Sequence, residues 1–172
     1  EWKMANSDIL INIVRFVVLV FLQVLLLNNV NLAGYINPYL YILFIILYPL
    51  DGNKGLLIFL SFLLGLSIDI FEDSGGVHAA ACAFIAYIRP LVLKYSFGVS
   101  YEYNSVKIRK ADPMERLTYI ASLVLMHHFV MFSLEIFSFK HILLLLKSTL
   151  FSGLFTIVVI VCTMILFNRT SS

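Results

Sequence analysis

Six apolar stretches occupy most of this chain, and they restrict it to folds that live in a lipid bilayer. They run over about 9–27, 38–50, 55–71, 77–93, 117–137 and 142–167. A helix of ~20 apolar residues spans a hydrocarbon core of ~30 Å and satisfies its own backbone there, which irregular chain does not. Composition agrees. Of 172 residues, 61% are hydrophobic and 13% charged, and mean hydropathy is +0.96, which leaves too little polar chain for a soluble domain. The expected fold is all-α and integral to the membrane, a six-transmembrane-helix bundle forming a single polytopic domain over 4–168.

Loop charges orient the bundle. Lys3, Lys54, Lys94, Lys107, Arg109, Lys110, Arg116 and Arg169 fall on one side if every run crosses, and Lys140 is the only base in the opposite loops. The positive-inside rule then places both termini in the cytoplasm. The second run is the weak element. Asn37-Pro38 is a good helix start, and Pro49 with Asp51-Gly52-Asn53 ends it. That leaves about 13 residues, or ~20 Å of helix, short of the ~30 Å core. A re-entrant segment would turn the basic loop 94–112 outward, so the charge pattern favours a short crossing eased by local membrane thinning. Asp112-Pro113-Met114-Glu115 reads as a capping box and moves the start of the fifth helix back to 113. Glu1-Trp2-Lys3 precede a natural-looking start at Met4 and read as a remnant outside the domain. No cleaved signal peptide is expected, because the first apolar run is of full spanning length.

Ionisable groups inside spans are costly and therefore informative. Arg15 is expected to snorkel to headgroups, and Arg89-Pro90 to reach another helix's carbonyls where the proline opens the hydrogen-bond ladder. Ser61, Gly65 and Asp69 share one helical face, and Ala79, Ala80, Ala83 and Ala86 offer a matching surface of small residues on the next helix. In an antiparallel hairpin turning at 73–76, Asp69 comes opposite about position 79. His78, not the distant Arg89, is then its expected partner, and its expected role is to hold the outer turn. Glu135 and Lys147 flank the last turn and are expected to pair.

Catalytic chemistry finds no foothold. His127 and His128 point ~100° apart on a helix and are expected to make separate hydrogen bonds between helices. They lack neighbouring carboxylates or cysteines, so no metal or cofactor is expected. Cys82 and Cys162 read as small apolar packing residues. The sequence has no H-E-x-x-H and no Gly-rich phosphate loop, and Ser61 and Ser67 have no histidine at matching depth. The basic loop is too small to argue for nucleic acid. The expectation is a non-enzymatic protein acting within the bilayer or at its faces.

The run Gly65-Leu66-Ser67-Ile68-Asp69-Ile70-Phe71, the polar turn 72–76 and Val77-His78-Ala79-Ala80-Ala81 resemble the rod shape-determining MreD family. That family shows a Gly-x-x-x-Asp run, a Gly-containing turn and a small-residue helix start. Arg89-Pro90 and the internal loop resemble its Bacteroidetes-type version. The resemblance implies a scaffold in the bacterial cytoplasmic membrane that binds MreC, with RodA, its class B penicillin-binding transpeptidase and MreB as further partners. It also implies a bundle like the S-component fold of energy-coupling-factor (ECF) transporters. A transporter subunit is accordingly the alternative. S-components dock their energising subunit through an Ala-x-x-x-Ala surface on the first helix, and 9–27 contains no alanine. Gly65, Asp69, His78, Arg89, Glu135 and Lys147 are the candidate structural or partner-binding residues.

Overall fold

Five of the six apolar runs form helices long and apolar enough to cross a membrane. The computed structural model describes residues 6–30, 32, 36–102, 108, 111–136 and 141–169. Expectations placed on residues 1–4, Lys107, Arg109, Lys110 and Lys140 lie outside them. The long helices are α1 (Asn6–Leu25, continued by a 3-10 turn Leu27–Asn29), α3 (Lys54–Glu72), α4 (Val77–Glu102), α5 (Pro113–Ile136) and α6 (Ile142–Arg169). The second run is different. It contains only a 3-10 turn, Leu40–Ile42, and one α-helical turn, α2 (Leu43–Ile46). The helix expected over 38–50 is thus cut to seven residues, ~12 Å of rise.

Local chemistry sets the boundaries. Asn53 accepts the Leu56 N–H at 3.0 Å and caps α3, and Asp112 accepts the Met114 N–H at 2.8 Å and caps α5, as the Asp-Pro signal predicts. Asp73 closes α3 in the left-handed conformation, with φ 52°. The fourth helix runs past its expected end at 93, through Gly98, whose φ of 52° breaks the helical path at a residue with no Cβ to resist it. Part of the expected basic loop 94–112 is therefore helix.

Side-chain contacts give the direction of each element. Along the second run, Leu40 meets Gln23 of α1, and Leu47 meets Arg15. The run is therefore antiparallel to α1. Tyr41 lies level with His127, and Ile46 level with Arg89 and Tyr119, so the run is parallel to α4 and antiparallel to α5. Chain direction reverses through this short segment, leaving α1 and α3 running the same way. We call the end carrying the 73–76 turn the top and the opposite end the base.

The core centres on the second run. Tyr39 through Ile46 are all buried, with Tyr41, Ile42, Ile45 and Ile46 fully so, and the long helices surround them. The spans turn large apolar side chains outward instead, including Leu10, Ile70 and Leu91, each more than 60% exposed. An apolar exterior of this extent suits hydrocarbon, not water.

The α3–α4 hairpin is the tightest junction. A Cβ at Gly65 would lie 2.5 Å from both the N and Cα of Ala79, so the two backbones touch. Of the alanines expected to face α3, Ala79 and Ala86 are buried and Ala83 partly so, but Ala80 is exposed and lies off the contact face. Because the obstruction is backbone, it has no rotamer to retreat into. Gly65→Ala is expected to destabilise the protein by about 2–3 kcal/mol. Denaturant titration in detergent would check this, and an unchanged midpoint would contradict the contact.

Candidate functional site

Two sets of polar groups lie inside the bundle, and each answers a backbone problem. The first is the cap at the top of the hairpin. The α4 N-terminus exposes N–H groups that no preceding turn can satisfy. Asp69 supplies the acceptors: Oδ1 takes the His78 N–H at 3.0 Å and Oδ2 takes the Ala79 N–H at 2.8 Å. Ser74 donates its hydroxyl to Oδ1 at 2.6 Å, and His78 Nδ1 stands 2.9 Å from Oδ1 and 3.0 Å from Ser74 Oγ. Glu72 Oε2 approaches His78 Nε2 at 3.2 Å without hydrogen-bond geometry. His78 is the partner of Asp69, as expected, and Arg89 lies far below.

A serine, a histidine and a carboxylate in contact invite comparison with a nucleophilic triad. In a triad the imidazole stands between acid and hydroxyl, each on its own nitrogen. Here Ser74 and Asp69 both meet Nδ1, and Nε2 faces Glu72. The Ser74 hydroxyl donates to Asp69 itself, and no carboxylate is hydrogen-bonded behind the ring to orient it as a base toward Ser74. This arrangement caps a helix.

The second set brackets the central segment. A seven-residue helical piece in a membrane leaves backbone groups open at both ends, with no water to satisfy them. At its start, Gln23 Oε1 accepts the Leu40 N–H at 2.9 Å and Gln23 Nε2 donates to Pro38 O at 3.0 Å. Thr156 Oγ1 accepts the Tyr39 N–H at 3.0 Å and lies 3.2 Å from His128 Nε2, while His128 Nδ1 is 2.8 Å from Val124 O. At its end, Arg89 donates to Tyr48 O at 2.5 Å, to Ile46 O at 3.4 Å and to the Tyr119 hydroxyl at 2.8 Å. Tyr119 in turn donates to Ile46 O at 3.2 Å, and Arg15 donates to Leu47 O at 3.2 Å. Cations belong at a helix C-terminus, where carbonyl dipoles collect.

Arg89 therefore reaches carbonyls of another segment, as Arg89-Pro90 predicted. Arg15 does not snorkel outward. It is half-buried and turned inward, bonded to Leu47 O of the short segment and to Asn12 at 3.0 Å. His127 and His128 serve separate bonds: His127 Nε2 stands 3.1 Å from the Tyr41 hydroxyl, and His128 belongs to the Thr156 chain. The expected Glu135–Lys147 pair is not formed among the described residues, and both side chains are exposed. Lys147 shares the outward face of α6 with Leu143, Leu150 and Leu154.

Ser74, Tyr119, Thr156 and the tyrosines of the second run escaped sequence reading. The available signal was the bracketing of a short apolar run by Pro38 and Pro49, which implies ends that other helices must satisfy. No protein-family model, curated protein or solved structure matches this chain.

Proposed function

We propose that this protein is a non-enzymatic scaffold of the MreD type in the bacterial cytoplasmic membrane. It would bind MreC and support peptidoglycan synthesis during cell elongation, with RodA, its transpeptidase and MreB as further partners. The observation that carries this reading is the hairpin cap. The residues on which the resemblance rests, Gly65, Asp69, His78 and Ala79, meet in a single contact. We read the second run as a short sixth crossing, which places both termini and the basic segment before α5 in the cytoplasm.

The alternative, an S-component-like transporter subunit, needs room and unpaired polar groups near mid-membrane. The second run occupies that region, and side chains of this chain bind the backbone at both its ends. That favours the scaffold. Affinity purification from the native membrane in mild detergent, followed by mass spectrometry, tests it. Recovery of MreC with RodA or its transpeptidase is the expected result. Recovery of an ATPase pair with a coupling subunit would instead establish a transporter component.

A further inference from the structure

At the top of the hairpin the cap leaves one nitrogen over. His78 is 3% exposed, and its backbone N–H and Nδ1 are both spent on Asp69 Oδ1. A carboxylate only accepts, so the ring proton stands on Nδ1, and Nε2 of the neutral ring keeps its lone pair. That nitrogen has no hydrogen-bond partner, yet it lies 3.2 Å from Glu72 Oε2. A lone pair this close to an anionic oxygen is repelled unless positive charge stands between them. A proton on Nε2 would meet the need through a hydrogen bond, but Oε2 stands to one side of the line along which Nε2 would donate. A second ligand stands to the side in this way when a metal ion occupies that line.

We infer that His78 Nε2 and the Glu72 carboxylate are ligands of a divalent metal of the zinc class, with Asp69 as the carboxylate that orients the imidazole. A metal-bound histidine commonly donates its other ring N–H to a carboxylate, which fixes the tautomer and makes the free nitrogen more basic. The 3.2 Å spacing is close to the ~3.3 Å between N and O donors on a tetrahedral ion with bonds of ~2.0–2.1 Å. A nitrogen donor beside a carboxylate favours zinc and its neighbours over magnesium and calcium, which take oxygen. Among the described residues no group of three His, Cys, Asp or Glu side chains converges, so water completes the shell and the ion exchanges with the medium. The way in runs past Glu72, whose side chain is 23% exposed against 4% for His78. Glu72 is the last residue of α3 and His78 the second of α4, so the ion ties the two helices across their turn, beside the Asp69 cap. The inference uses the hairpin alone and does not rest on the scaffold reading.

The test uses the full chain, purified in mild detergent with a tag that holds no histidine and then stripped with a chelator. Zn2+ added in excess is expected to raise its thermal midpoint by about 5 °C, and Mg2+ is expected to leave it unchanged. Glu72→Gln leaves every hydrogen bond of the Asp69 cap in place, so its midpoint without metal should stay within about 1 °C of the parent. The same variant is expected to lose the zinc response. Isothermal titration should find one zinc site per chain, weakened at least about tenfold by Glu72→Gln and by His78→Ala. A zinc response that survives Glu72→Gln would place the ion elsewhere and overturn the assignment. So would a parent that ignores zinc; if its midpoint instead fell as pH rose through neutral, a proton would be what stands between Nε2 and Glu72.

Discussion

Arg89→Ala is expected to lower stability by about 3 kcal/mol, because it leaves Tyr48 O without its donor in a region where no water can replace it. The guanidinium is 4% exposed and bonds Tyr48 O, Ile46 O and the Tyr119 hydroxyl together. Tyr119 still reaches Ile46 O in the variant, so one of the two carbonyls keeps a partner. Arg89→Lys keeps the charge but not the planar fork that meets several acceptors at once, and is expected to recover about half of the loss. Unfolding by SDS titration in mixed micelles would measure both. A variant within about 0.5 kcal/mol of the parent would show that the central segment holds its place without the clamp. If the protein is the scaffold proposed above, the same variant should also yield rounded cells, since a displaced central segment loosens the contacts of the surrounding helices.

Asp69→Ala is expected to cost a similar amount, about 3 kcal/mol, through several orphaned donors at the α4 N-terminus. The backbone N–H groups of His78 and Ala79 lose their acceptors, and so does the Ser74 hydroxyl. Asp69→Asn retains one acceptor oxygen but turns an amide NH2 toward donors, so it should fall between alanine and the parent. The decisive comparison is stability against partner retention. If Asp69 acts by capping, both decline together. On the proposed scaffold reading, loss of MreC from an alanine variant with unchanged stability would instead make Asp69 a direct partner contact.

The cap and the clamp differ in how far they could be read in advance. Asp69 and His78 are nine residues apart across a four-residue turn, and helical register alone brings them level. Arg89 was recognisable as a costly intramembrane cation with carbonyls as natural partners, but which carbonyls depended on the second run. That run reads as a short helix and folds as two turns, so its termini fall inside the bundle. Gln23, Thr156, Tyr119 and Arg15 acquire their roles from that one departure. Arg15 departs from its expected place at the headgroups for the same reason: the end of the second run brings the Leu47 carbonyl within 3.2 Å of its guanidinium.

By itself the sequence determined the membrane setting, five of the spans, the Asp112 cap of α5 and the hairpin contact through Gly65 and Asp69. These depend on hydrophobic length, helical periodicity and a tight turn, all of which act over short distances along the chain. Only the tertiary structure decided that Tyr39–Ile46 would form the centre and which side chains would satisfy its ends. The physical reason is that open backbone groups in hydrocarbon accept any donor or acceptor within reach. Which one is within reach depends on how five helices pack together, not on spacing along any one of them.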